Sequence, residues 1–163
     1  GARLQKELTR GPDRVADAVH ASNGLIGRGP QLFTLSAVVA PGKSAKQAEA
    51  ALREQIRRIA QEGVGDAELE RVKNQWVASE VYKRDSVMGQ AMELGMWWAQ
   101  KLPLDTGELL VQRLREITPE QVQDAARDWF GDRQMTVATL VPQPRANGAL
   151  PPPAAAPPDE VQR

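Results

Sequence analysis

The chain offers few side chains of the kinds that carry out chemistry. His20 is its one histidine, and it has no cysteine. The lack of cysteine removes a disulfide framework, a thiolate zinc knuckle and a cysteine nucleophile together. A catalytic metal site takes about three protein ligands, usually with more than one imidazole among them. His20, alone inside an expected strand, therefore reads as a structural or exposed histidine rather than a ligand or base. Asp66, Glu68 and Glu70 follow a helix start, where negative charge complements the helix dipole. Gly24, Gly27 and Gly29 lack the following helix and the lysine–serine pair of a phosphate cradle, and read as a flexible hairpin connection. Arg53, Arg57 and Arg58 interleave with Glu49 and Glu54, the pattern of a solvated helix face. Met88, Met92, Met96, Trp97 and Trp98 could line a pocket for apolar substrate side chains, yet their helical spacing reads first as core packing. Neighbours on a helix point about 100° apart, so Trp97 and Trp98 cannot both enter one core. One of the two is expected near a surface or an interface.

The elements that must position these residues follow from periodicity. Residues 1–10 read as the last turns of a helix, with Leu4 and Leu8 on one face, stopped by Gly11-Pro12. Residues 15–22 and 32–40 read as strands joined by a glycine-rich loop. In the second strand Phe33, Leu35, Ala37 and Val39 share a face, with Thr34 and Ser36 on the other. One packed and one open sheet face are expected from that alternation. The period then lengthens to 3.6 residues. Ser44 with Gln47 forms a capping box, followed by the stripe Ala48, Leu52, Ile56, Ile59 and Gly63. Asp66 is expected to cap the next helix, in which Leu69, Val72 and Trp76 face inward. A helical stretch with Val87, Ala91, Leu94, Gly95 and Trp98 follows, then a short helix from Asp105 to about Ile117. Thr118-Pro119-Glu120-Gln121 is a complete helix start, and Gly131 ends that helix near Phe130. Residues 134–141 are expected to close the sheet as a further strand. The fold class is thus α+β, an antiparallel sheet with helices packed on one face.

Whole-chain properties narrow the function. With 163 residues, 41% hydrophobic and 26% charged, the composition is that of an ordinary globular domain. Lys+Arg and Asp+Glu both count 21, which speaks against a nucleic-acid binder. No apolar run approaches the roughly 18 residues of a bilayer span, and no signal peptide is read at Gly1. Residues 1–142 form the expected domain, and 143–163 a proline- and alanine-rich tail suited to extended polyproline II. The tail is expected to pack along its own domain or a neighbouring copy. Any chemistry is expected to be completed by another chain or domain.

Six pieces, in order, carry a family resemblance: GARLQKELTR, LFTLSAVVAPGKS, IRRIAQEGVGDAELERVKNQWV, QAMELGMWWAQ, LREITPEQVQDAARDWF and TVATLVP. Together they resemble the carboxy-terminal, non-catalytic half-domain of the pitrilysin/insulinase family of zinc peptidases, which includes relatives of the mitochondrial processing peptidase. The match begins in mid-domain, so the resemblance implies a clamshell half-domain lacking its opening strand. In this family the zinc is held by an H-x-x-E-H motif and a distal glutamate in the amino-terminal half, and none of that motif occurs here. The resemblance implies no catalytic residue, metal ligand or cofactor in this chain, with zinc in the catalytic half of the complete enzyme. That enzyme would hydrolyse peptides through a zinc-activated water with a glutamate base. This chain would shape the substrate chamber, with an amino-terminal catalytic half-domain or a peptidase subunit as partner and a peptide as substrate. A homodimer stays open beside them. The alternative function is a structural scaffold subunit of the same fold.

The resemblance also implies two site residues. Many members place an arginine in the turn after the Arg-Leu helix and a tyrosine seven positions later, both facing the chamber. Arg10 fits the arginine, and Asp17 stands at the tyrosine's position. An ionised carboxylate cannot donate a hydrogen bond, so Asp17 does not reproduce a tyrosine's support of a developing oxyanion. Arg10 and Asp17 are expected either to contact substrate or to pair with each other. By the same resemblance the expected compartment is the periplasm or cell envelope.

Overall fold

A computed structural model of the chain describes residues 3–83 and 85–142. A short helix α1 (Arg3–Leu8) leads into an antiparallel hairpin of β1 (Ala16–Asn23) and β2 (Phe33–Val39). Leu8 is fully buried, and its carbonyl accepts the Val15 N–H at 3.1 Å, tying the helix end to the start of the hairpin. Gly11 turns the chain between them with φ of 85°, a conformation that costs glycine little because it has no Cβ.

The hairpin register pairs Val19 with Ala37, Ala21 with Leu35 and Asn23 with Phe33. Leu35, Ala37 and Val39 are half-buried, while Thr34, Ser36 and Val38 are exposed, so the period of two separates a covered face from an open one. The covered face meets α2 (Ala45–Glu62), and α6 (Pro119–Trp129) packs side by side with α2. At its end the Phe33 ring tilts against Phe130, centroids 4.6 Å apart, beside the C-terminus of α6. Both helices begin with the capping boxes read from the sequence. Ser44 Oγ accepts the Gln47 N–H at 3.2 Å, and Thr118 Oγ1 accepts the Gln121 N–H at 3.3 Å. In each case the glutamine side chain accepts the cap residue's own N–H. Farther along, Arg127 Nε and Gln123 Nε2 donate to the Ala60 carbonyl at 2.8 and 3.3 Å, binding α6 to the last turn of α2.

The second group of helices is α3 (Asp66–Lys83), α4 (Val87–Ala99) and α5 (Thr106–Glu116). Arg3 reaches from α1 to Glu68 of α3 through two donors, Nε to Oε1 at 3.2 Å and Nη2 to Oε2 at 2.5 Å. Lys73 is buried on α3 and donates to Glu70 at 2.8 Å and to the Arg115 carbonyl at 3.1 Å, holding α3 to the end of α5. Trp97 anchors α4. It is 6% exposed, and a Cβ built on Gly107 of α5 would fall 2.8 Å from its ring. Helix α4 ends in a Schellman turn: Leu102 N–H bonds to the Trp97 carbonyl at 2.9 Å, and Lys101 N–H to that of Trp98 at 3.0 Å. Lys101 adopts φ of 60° there, where glycine is usual.

Several expectations need correction. Residues 134–141 form no strand: a 3-10 turn covers Asp132–Gln134, and among the described residues the sheet has two strands. The segment is extended in character but finds no neighbouring strand, and Leu140 stays 93% exposed. Strand propensity supplies a chain that fits a sheet, whereas the ladder itself needs a partner backbone. Asp66 is the first residue of α3 rather than its cap; the Gly65 carbonyl accepts the first helical hydrogen bonds. Asp105 stands at the start of α5 but makes no side-chain cap bond. Leu69 is half-buried as expected, but Val72 and Trp76 lie at the surface, because α3 turns Lys73 and Val77 inward in their place. Met88 and Met92 are likewise exposed rather than in a core. The tail 143–163 and its expected packing lie outside the described residues.

Candidate functional site

The open face of the hairpin is the surface where side chains from neighbouring strands converge without helices above them. Its rows are Ser22 beside Thr34, His20 beside Ser36, and Ala18 beside Val38, all exposed. Small and hydroxylated side chains leave the backbone approachable and offer hydrogen bonds of either sense. His20 stands on this face with no second imidazole in the chain. Among the described residues no group of three or more His, Cys, Asp and Glu side chains is placed to hold a metal ion. The donor set of the described residues does not fit zinc.

Asp17 occupies a bulge in this hairpin. Ala16 pairs with Val39 and Ala18 with Val38, so one step of β2 faces two steps of β1 and Asp17 is the extra residue. Its carboxylate is exposed and accepts a hydrogen bond from Arg14 Nε at 3.0 Å. Arg10 is also exposed, in the turn after α1, and forms no ion pair with Asp17. Of the two expected arrangements, mutual pairing is replaced by the shorter Arg14–Asp17 link, which a separation of three residues makes easy. The bulge itself carries no signal in composition, since it arises from the register of two strands.

Electrostatic perturbation lies elsewhere. The Arg3 guanidinium holds the Glu68 carboxyl below its ordinary range, chiefly by the hydrogen bond; burial opposes this, and the charge attraction of Arg3 adds a smaller lowering. Arg57 and then Arg58 do the same to Glu54 on the outer face of α2. Glu120 is lowered by its own backbone N–H and by Thr118 at the start of α6. These are structural ion pairs and a helix cap, away from the open face. They confirm that Arg53, Arg57 and Arg58, paired with Glu49 and Glu54, form a solvated ionic face.

A hairpin roofed by helices on one side and bare on the other is an α+β half-domain, the class expected from periodicity. Residues 2–76, from α1 to the middle of α3, match the family model of the peptidase M16 inactive domain. That stretch is similar to the non-catalytic half of the M16 peptidases, the family whose resemblance was read from the sequence. The fold extends the likeness beyond the matched stretch. The inactive peptidase domain of a candidate zinc protease from Bordetella parapertussis superposes with a TM-score of 0.72 at 22% identity, over 89% of this chain and 77% of that one. A candidate zinc protease from Bordetella pertussis gives 0.74 at 21%, over 87% and 76%. A protease from Helicobacter pylori gives 0.73 at 19%; 82% of this chain covers 32% of that longer one. No curated protein matches the sequence. No membrane-spanning helix occurs among the described residues.

Proposed function

We propose that this chain is the non-catalytic half of a zinc-dependent peptidase, forming one wall of the substrate chamber and contacting the peptide while a separate catalytic half performs hydrolysis. The match of residues 2–76 to the inactive domain carries the reading. The open hairpin face supports it, because the hydroxyl groups of Ser22, Thr34 and Ser36 offer hydrogen bonds to a peptide laid across it. Arg10 and Asp17 sit in the turn and bulge at one end of that hairpin, exposed and charged, and are proposed as contacts for substrate rather than as catalytic residues. The periplasm or cell envelope is the proposed compartment, on family resemblance alone.

The test is reconstitution. The 163-residue chain and a zinc-bearing partner half, each purified alone, are assayed for hydrolysis of a quenched fluorescent peptide, then mixed. Inactivity of each alone and activity on mixing support the reading. A partner fully active without this chain, or a stable complex that never cleaves peptide, sinks it; the second outcome favours the scaffold alternative.

A further inference from the structure

Beyond the open face, the molecule has a cleft of about 290 Å³ beneath the tip of the hairpin, between the loop after β1 and helices α3, α4 and α5. Its walls are largely apolar: Leu25 from the loop, Trp76 from α3, Trp97 from α4 and Leu110 from α5. Two carboxylates also line it, and their circumstances differ. Glu80 accepts hydrogen bonds from Trp76 Nε1 at 3.2 Å and Lys83 Nζ at 2.5 Å, so its charge is already answered. Glu93 is half-buried on α4 and makes no hydrogen bond or ion pair with any described residue.

A carboxylate set among apolar walls loses part of its hydration and gains nothing in return until a cation arrives. Aromatic rings beside it favour the same kind of visitor, since their faces attract cationic groups. The occupant that satisfies both demands has an apolar stem and a positively charged end. We propose that this cleft receives a lysine or arginine side chain of a peptide, with the stem against Trp76 and Trp97 and the charged head at Glu93. The choice of a peptide as ligand rests on the function proposed above; the preference for a basic side chain rests on the cleft itself. Charge complementarity sets the sign: the Glu80–Lys83 pair cancels, and Glu93 leaves one negative charge uncancelled.

The experiment titrates the full chain with three blocked tetrapeptides, acetyl-Ala-Ala-X-Ala-amide with X as arginine, leucine or glutamate, at low salt. Calorimetry gives affinity, and indole fluorescence reports the cleft tryptophans. The arginine peptide should bind at least about tenfold more tightly than the other two. Glu93→Gln, which keeps the side-chain shape, should erase that preference, and Glu93→Asp should keep part of it. Equal affinity for arginine and leucine, no binding of any of the three, or an unchanged preference in Glu93→Gln overturns the assignment. Far-ultraviolet circular dichroism of both variants separates a lost ligand site from a lost fold. Hydrolysis restored on mixing the two halves without this charge preference removes the cleft assignment and leaves the function. The preference without restored hydrolysis does the reverse.

Discussion

At the scale of single residues, the informative contrast is between charges that are answered and charges that are not. Arg3 and Glu68 meet through two hydrogen bonds in a partly exposed setting, an ion pair that crosses from α1 to α3. Because the folded Glu68 carboxyl is held below its ordinary value of 4.5, its contribution is present above that value and lost as pH falls below it. Glu68→Gln should cost about 0.5–1 kcal/mol at neutral pH, the usual size for a partly screened pair. Its melting curve should converge with that of the parent protein as the pH is lowered well past 4.5. A constant difference across the titration would show that the loss is one of packing. Asp17 illustrates the other case. It is exposed, in a bulge, and bound to Arg14 alone, so Asp17→Tyr should change stability by less than about 0.5 kcal/mol in thermal denaturation. Which charged residues pair was only partly legible. The helix-surface pairs around Arg53 and Arg57 follow from spacing. The Arg3–Glu68 link, across 65 positions, depends on how two helices meet and leaves no trace in spacing.

At the scale of elements, the parts read correctly are those whose determinants are local. Each capping box lies within four consecutive residues, so Ser44–Gln47 and Thr118–Gln121 announce their helices without help from the fold. Thr118→Ala should cost about 1 kcal/mol, measured by denaturant unfolding, and a loss near zero would mean that the packing of α6 on α2 substitutes for the cap. Orientation was harder. Helices α3 and α4 carry apolar side chains around much of their circumference, so periodicity alone gives no clear inward face. Only the adjacency of Trp97 and Trp98 forced a choice: Trp97 is buried and Trp98 is 77% exposed. The seam between α4 and α5 yields a test with opposing terms. Gly107→Ala gains about 1 kcal/mol of helix propensity. It also drives a methyl to 2.8 Å from the Trp97 ring, and overpacking of this kind costs about 1–3 kcal/mol. A net loss is expected. A gain in melting temperature would mean that the indole yields freely.

At the scale of the whole molecule, the family resemblance, the α+β class and the expectation of no self-contained metal site rest on different kinds of information. The first came from six ordered segments, the second from a change of period, the third from residue types. The chain is expected to carry no stoichiometric zinc after dialysis, by plasma emission analysis; one equivalent of tightly held metal would require ligands outside the described residues or contributed by another molecule. What the sequence did not disclose was the extent of the sheet. A strand is a relation between two segments, and residues 134–141 have the composition of one without the neighbour.

The clasp between α6 and α2 also bears on the order in which the molecule assembles. The α1–β1–β2–α2 portion joins segments that follow one another in the chain, so its contacts close short loops and are expected to form early. Arg127 and the carbonyl it grips lie 67 positions apart, and closing so long a loop has a larger entropic cost. Docking of α6 is therefore expected on the late side of the folding barrier. Arg127→Ala should accordingly quicken unfolding while leaving the refolding rate nearly untouched in stopped-flow measurements. A slowed refolding limb would place α6 in the nucleus instead.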